Sequence, residues 1–167
     1  MPRHRIYRSN AERQSAYRQR RRRRLPVYHR HKSDEWETPQ ELFDELDREF
    51  HFTIDLAALP HNAKCARFFS PGDDALTRHW EGVCWLNPPY GAKLRHWMKK
   101  AYDSAQAGAI VVCLLPARTD SRWWHDYVLP YAEIRYIRGR VKFNGVSNSA
   151  PFPSVIVVFK KNSPPPR

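Results

Sequence analysis

The segment 85–91 reads Trp-Leu-Asn-Pro-Pro-Tyr-Gly and holds the residue types in this chain best suited to chemistry. Two apolar residues typical of a buried strand lead into Asn87, two prolines, Tyr90 and a glycine. Pro88 and Pro89 each fix φ at about −65°, and Pro88 also restricts Asn87 to an extended backbone. The turn therefore aims its side-chain and main-chain carbonyls with little freedom. A stiff loop without chemistry has the same pattern, and the surroundings must decide between the two readings.

A second polar position, Asp55, ends the β-prone segment 51–56 and is followed by the small residues Ala57 and Ala58. A carboxylate at the end of a first strand, beside residues that admit a ligand, is typical of nucleotide-like cofactor sites in open α/β sheets. The glycine-rich turn of a dinucleotide site is missing, since no glycine precedes Phe69. A cap for the next helix is the plainer explanation of a lone acid here.

The elements that must position these residues begin at Thr38, where the composition changes sharply. Thr38 as N-cap, Pro39 at the first helical position and Glu41 two residues later predict a capping box and a helix that starts at Pro39. Strands are predicted over 51–56, 83–86, 109–115, 132–137, 140–143 and 154–159, with helices over 92–106 and 121–128.

Strands that alternate with helices and then cluster at the end predict an α/β fold. We expect a mainly parallel sheet with an antiparallel C-terminal hairpin. The loops around Asp55, Asn87 and Pro116 then lie side by side at the carboxyl edge of the sheet, where a ligand crevice forms.

The charge is concentrated at the N-terminus. Residues 1–32 hold 12 of the 29 Lys and Arg residues and one of the 17 acids, whereas the rest of the chain is nearly neutral. This segment has almost no aliphatic side chains and contains the block Arg20, Arg21, Arg22, Arg23 and Arg24. We expect an arm, disordered by itself, that binds nucleic acid in a salt-dependent way without sequence choice. A merely solubilising tail is the alternative.

Other classes of protein are disfavoured. The longest apolar run, 109–115, is far shorter than the roughly 20 residues that span a bilayer, and no apolar leader follows the basic N-terminus. The three cysteines, Cys65, Cys84 and Cys113, are widely spaced, so neither a disulfide framework nor a metal knuckle is predicted. We expect a cytoplasmic protein without a membrane or metal partner; the oligomeric state stays open.

The motifs together resemble a known family. In order they are Trp36-x-Thr38-Pro39, Asp55-x-Ala57-Ala58 with Asn62, Trp80, Asn87-Pro88-Pro89-Tyr90-Gly91, Leu115-Pro116-Ala117-Arg118 with Trp123-Trp124, and Gly139-Arg140-Val141-x-Phe143. This set resembles the Dam-type DNA N6-adenine methyltransferases carried by bacteriophages, over about residues 34–160. The resemblance implies a methyltransferase domain at 33–160 between the arm and a disordered tail at 161–167.

The resemblance also implies roles for single residues. Cofactor contacts to S-adenosylmethionine fall on Trp36, Thr38, Pro39, Asp55, Ala57, Ala58 and Asp74, and catalytic contacts to the target adenine fall on Asn87, Pro88, Pro89 and Tyr90. Besides the arm, Arg118, Arg140 and Lys142 are candidates for contacts with double-stranded DNA. Chemically, two fixed carbonyls suit the exocyclic amine of adenine, since each accepts one N–H, and Tyr90 offers a ring for stacking a flipped base.

One departure from larger methyltransferases concerns the spacing. Only 32 positions separate Asp55 from Asn87, which is too few for the two extra strand-helix units usual between these sites. A trimmed Rossmann-like fold without a separate target-recognition domain is therefore expected. The alternatives are an inactive DNA-binding protein of the same fold, or a methyltransferase for RNA adenine or protein glutamine.

Overall fold

The computed structural model of the chain describes residues 36–146 and 148–161. The predicted arm, with Arg20 to Arg24, and all but the first residue of the predicted tail lie outside these ranges. Within them, none of the helices has the length and apolar character that crossing a bilayer requires.

The first helix, α1, spans Gln40–Phe50 and buries Phe43 and Leu46. Its N-cap is Pro39, with extended backbone at φ −61° and ψ 138°, one residue later than the sequence predicted. The predicted capping box is wrong, because the Thr38 hydroxyl bonds to Asn87 instead of to the first turn of α1.

The other helical segments lie between the strands. Helix α2 spans Leu94–Gln106. A π-helical turn, Trp124–Val128, runs directly into the short helix α3, Leu129–Tyr131. Two 3₁₀ turns, Pro71–Asp73 and Ala75–Thr77, lie in the irregular segment that precedes Val83.

Five strands form the sheet in the described part of the chain. They are β1 (Ile54–Asp55), β2 (Val83–Leu86), β3 (Ile110–Pro116), β4 (Ala132–Tyr136) and β5 (Ser154–Phe159), in the order β1-β2-β3-β5-β4. The first three run parallel, and β5 lies antiparallel between β3 and β4. The predicted α/β class, with parallel strands and an antiparallel C-terminal hairpin, is confirmed.

The predicted strand at 140–143 is wrong. This segment lies outside the sheet and is tied instead by a bridge between Asn144 and Glu37 and by the Ala150 N–H, which donates to the Val141 carbonyl at 2.8 Å. The side chains of this segment still alternate between buried and exposed, as in a strand: Val141 and Phe143 face the core, and the two basic residues beside them are exposed.

Hydrophobic clusters cover both faces of the sheet, and successive side chains of β3 alternate between the two clusters. Val111, Cys113 and Leu115 face a cluster with α2 and the π-helical turn. Val112 and Leu114 face a cluster with α1 and the aromatic residues of the C-terminal loop. This explains the uninterrupted apolar run of β3, since a strand covered on both faces has no solvent side.

Candidate active site

A pocket of about 280 Å³ lies at the carboxyl edge of the parallel strands. Because β1 and β2 are parallel neighbours, the loops after Asp55 and after Leu86 leave the sheet side by side. Of the predicted site residues, the walls contain Trp36, Thr38, Asp55, Ala57, Ala58, Asp74, Asn87, Pro88 and Pro89. Pro39 and Tyr90 are not part of this lining.

Asp55 is 2% exposed and organises the loop that follows β1. Its Oδ1 accepts the Ala57 N–H at 3.2 Å, and its Oδ2 accepts the Lys64 N–H at 3.0 Å. Burial raises the pKa of the Asp55 carboxyl, and the two N–H donors oppose that rise. The acid therefore caps the loop after β1 at a pocket wall. It does not cap the next helical segment, which begins at Pro71, so the helix-cap alternative is not met.

The nitrogen and the oxygen of the Asn87 side-chain amide differ in their hydrogen bonding. Its Nδ2 donates to the main-chain carbonyl of Trp36 and, at 2.9 Å, to the Thr38 hydroxyl. Its Oδ1 is buried and has no hydrogen-bond partner among the residues described. A buried amide oxygen without a donor is costly unless a ligand supplies one, which makes this atom a candidate acceptor.

Tyr90 is positioned differently from the sequence prediction. The ring is 2% exposed and contacts Phe143 and Phe152 edge to face, while the hydroxyl donates to the Leu114 carbonyl at 3.0 Å. Burial raises the pKa of the Tyr90 phenol well above its usual range, so the group stays neutral. The prediction of an open stacking face is not met in this conformation, because the ring is packed into the core.

The predicted DNA-contact residues fall into two groups. Arg118 in the loop after β3 donates through Nη1 to the Tyr90 carbonyl at 2.9 Å, and thereby supports the Asn-Pro-Pro-Tyr turn. Arg140 and Lys142 are exposed on the segment that follows β4. That strand runs in the same direction as β3, so the segment leaves the sheet at the pocket edge.

Several pocket residues were not predicted as site residues. They are Glu37, Leu59, Lys64, Phe69, Lys93 and Trp97, among others. Glu37 accepts hydrogen bonds from His61 at 3.1 Å and Asn62 at 3.2 Å, and so links the segment before α1 to the loop after β1. No local pattern marks these residues, because they come from three separate parts of the chain, namely the segment before α1, the irregular segment 56–80 and the start of α2, which only the folded structure brings together.

The described ranges also bear on the sequence expectations for metal ligands and cysteines. No cluster of three His, Cys, Asp or Glu residues is arranged there to hold a metal ion. All three cysteines are free thiols, and burial is the largest cause that raises the pKa of Cys65 and of Cys84 to about 12.

A family model and two phage relatives carry the same description. The family model described as DNA N-6-adenine-methyltransferase (Dam) matches residues 27–165. A DNA N-6-adenine-methyltransferase of Haemophilus phage HP1 is 31% identical over 140 residues, which cover 78% of this chain and 81% of that protein. A DNA N-6-adenine-methyltransferase of Escherichia phage T1 is 32% identical over 107 residues, which cover 62% of this chain and 44% of that protein.

Among solved structures, TrmN from Thermus thermophilus aligns with a TM-score of 0.44 and 18% identity, over 72% of this chain and 48% of that one. The residues that the family model matches include the Asp55 and Asn87 loops that form the pocket. The chain therefore belongs to the DNA N-6-adenine-methyltransferase (Dam) family.

Proposed function

We propose that the pocket between the Asp55 and Asn87 loops is where a methyl group passes from S-adenosylmethionine to the exocyclic N6 of adenine in DNA. The reaction class follows from family membership: the protein is an adenine-specific DNA methyltransferase. The observation that carries the proposed location is the Asn87 Oδ1 atom. It is buried, it belongs to a pocket-lining residue, and its partners in the described chain hold the amide only through Nδ2.

The pocket lining suits this cofactor. Its volume of about 280 Å³ lies near the lower end of ligand cavities, which span roughly 300–1,000 Å³. Apolar side chains suited to an adenosine moiety come from Leu56, Phe69, Leu76 and Trp97. Acids and lysines also line it, namely Glu37, Asp55, Lys64, Asp74 and Lys93. These charged side chains complement the cofactor, whose amino-acid end carries an ammonium and a carboxylate and whose sulfonium is positive.

When bound, S-adenosylmethionine supplies an electrophilic methyl group on its sulfonium. The chain's task is to prepare the acceptor, since the lone pair of the adenine amine is delocalised into the ring. The Asn87 Oδ1 and the Pro88 carbonyl each accept one N–H of that amine. These contacts turn the nitrogen toward tetrahedral geometry and aim its lone pair at the methyl group.

The same two carbonyl dipoles stabilise the positive charge that develops on nitrogen in the transition state. Their stiffness matters, because a misplacement of about 1 Å costs on the order of 10²-fold in rate. Pro88 and Pro89 restrict the backbone of this turn, and Arg118 holds its Tyr90 carbonyl from the neighbouring loop. The methylated nitrogen would carry a positive charge and would lose one proton to water after the transfer, so no group with a shifted pKa has to remove that proton beforehand.

For DNA contacts we infer a basic surface at the same edge of the sheet. Arg140 and Lys142 are exposed while the residues that alternate with them are buried, so both cations are directed outward beside the pocket. They suit phosphate contacts, and the Arg-rich arm at 1–32 adds sequence-independent affinity.

A methylation assay tests this proposal. The purified protein is incubated with unmethylated double-stranded DNA and isotopically labelled S-adenosylmethionine, and the digested nucleosides are separated by mass spectrometry. Labelled N6-methyladenine is the expected product. Label in cytosine, in an RNA of the same sequence or in a protein glutamine would change the substrate. Absence of label together with absence of cofactor binding would support an inactive DNA-binding protein.

A further inference from the structure

We propose that Thr38 is a positioning residue that locks the side-chain amide of Asn87 in the one rotation that turns its oxygen toward the amine. This inference rests on the proposed function, because it concerns how the acceptor of that reaction is oriented. Thr38 lies 49 positions before Asn87 and is 4% exposed, yet its hydroxyl is only 2.9 Å from the Asn87 Nδ2.

The orientation of the amide follows from the partner chemistry. The main-chain carbonyl of Trp36 has no hydrogen to donate, so whichever Asn87 atom faces it must be the N–H donor. With Nδ2 on that side, Oδ1 must point to the other side, where no donor in the described chain meets it. A flipped amide would bring two acceptor oxygens together and leave Nδ2 facing an incoming amine.

Thr38 supplies the second constraint. An amide NH₂ group has two hydrogens, and with one on the Trp36 carbonyl and the other on the Thr38 hydroxyl both are used. The amide plane is then defined by two bonds on one side. Rotation about the terminal torsion of Asn87, which is soft in an unrestrained side chain, would break both.

Thr38 itself is fixed from three sides. Pro39 disfavours helical backbone at Thr38, so the residue cannot join α1. The Thr38 carbonyl accepts the Asn144 side-chain N–H at 3.3 Å, and the Glu37 carbonyl accepts the Asn144 main-chain N–H at 2.9 Å. The hydroxyl is thus directed at Asn87 by a segment that is held before any ligand enters.

Kinetics of three variants test this role. Thr38→Val keeps the shape and removes the hydroxyl, Thr38→Ser keeps the hydroxyl, and Thr38→Ala is paired with Thr38→Ser if the valine variant does not fold. We expect Thr38→Val or Thr38→Ala to lower kcat about 10-fold to 100-fold, as loss of alignment does. The kcat of Thr38→Ser should stay within about threefold of wild type. In all three variants the Kd for S-adenosylmethionine should change by less than about 5-fold, which is what one neutral hydrogen bond is worth.

The opposite pattern would overturn the inference. A Kd for S-adenosylmethionine that rises at least tenfold with kcat unchanged would make Thr38 a cofactor contact, as its sequence motif implied. An unchanged kcat in Thr38→Val would remove any positioning role.

A second readout needs no turnover. In a ¹⁵N-labelled protein, the side-chain NH₂ signals of Asn87 are assigned by their loss in Asn87→Ala. One of the two proton signals should move toward solvent-exposed values in Thr38→Val and stay in place in Thr38→Ser. Unchanged signals in Thr38→Val would refute the hydrogen bond itself, whereas a wild-type protein without methylation activity would refute the proposed function and, with it, the catalytic meaning of the bond.

Discussion

Replacing Asn87 by alanine removes both halves of its amide, and each loss is detected by a different measurement. The change removes Oδ1, which is buried without a partner, and with it one of the two dipoles proposed to stabilise charge in the transition state. Loss of one such group typically costs 10²–10³-fold in kcat, or roughly 2.7–4 kcal/mol. It also removes Nδ2, which bonds to Trp36 and Thr38 in the folded protein. Loss of those bonds costs about 1–3 kcal/mol, and removal of the buried, unpartnered Oδ1 offsets part of that cost, so the free energy of unfolding should fall by less than this sum.

The assay is a single-turnover measurement of N6-methyladenine with saturating cofactor, beside the Kd for S-adenosylmethionine and the Tm. We expect a rate loss of at least about 10²-fold at a temperature well below the Tm of the variant, with cofactor affinity preserved. A variant within tenfold of wild type would refute the proposed acceptor. A large loss of cofactor affinity would show that Asn87 belongs to the cofactor half of the pocket.

Asn87→Asp is the matched control, because it keeps an oxygen at the Oδ1 position and exchanges only the donor. Its second oxygen would face the Trp36 carbonyl, where the wild-type Nδ2 donates. Two acceptors in contact repel, so the ionised aspartate should be displaced and kcat should fall. The protonated form can donate one hydrogen to Trp36, and the ratio of variant to wild-type rates should therefore rise as the pH is lowered. A ratio independent of pH, or an aspartate variant as active as wild type, would contradict this account of the amide.

Three further predictions concern other parts of the chain. Deleting residues 1–32 should flatten the dependence of DNA affinity on salt while the Kd for S-adenosylmethionine stays constant; an unchanged slope in a binding titration would show that the arm does not contact DNA. Tyr90→Phe removes a buried hydrogen bond and should lower the free energy of unfolding by about 1 kcal/mol in urea denaturation, with kcat within a few fold of wild type. Arg135 bonds to Glu49 and Glu133 and lowers the pKa of both carboxyls from their ordinary 4.5, so its stabilisation is present above that pH and lost as the pH falls through the lowered values. Because these groups are partly exposed, Arg135→Gln should cost at most about 1 kcal/mol at pH 7 and less in acid, where the two carboxyls are protonated; a cost that grows in acid would refute the assignment.

The strand-end loops were predictable from local sequence. The β2 segment is apolar and short, and the Asn-Pro-Pro-Tyr turn after it has backbone restrictions that hold in any context. Asp55 likewise ends β1, as its position before two alanines indicated. These features depend on neighbours in the chain, which a sequence displays directly.

The contacts that orient the site were not predictable in the same way. Thr38, Pro39 and Glu41 match a helix start so well that the pattern hides the alternative partner of the Thr38 hydroxyl, which lies 49 positions away. Tyr90 follows two prolines in a turn, a position at which the sequence predicted an exposed ring. Its burial is decided by Phe143 and Phe152, which no local pattern brings near it.

The bridge between Glu37 and Asn144 makes the candidate site depend on a distant loop of the chain. It joins the segment before α1 to the loop between β4 and β5, and the Asn144 side chain donates to the Thr38 carbonyl, 106 positions away. Thr38 in turn bonds to the Asn87 amide, although Asn144 is not part of the pocket lining. A substitution at Asn144 should therefore disturb the orientation of the Asn87 amide without removing any residue that a ligand could touch.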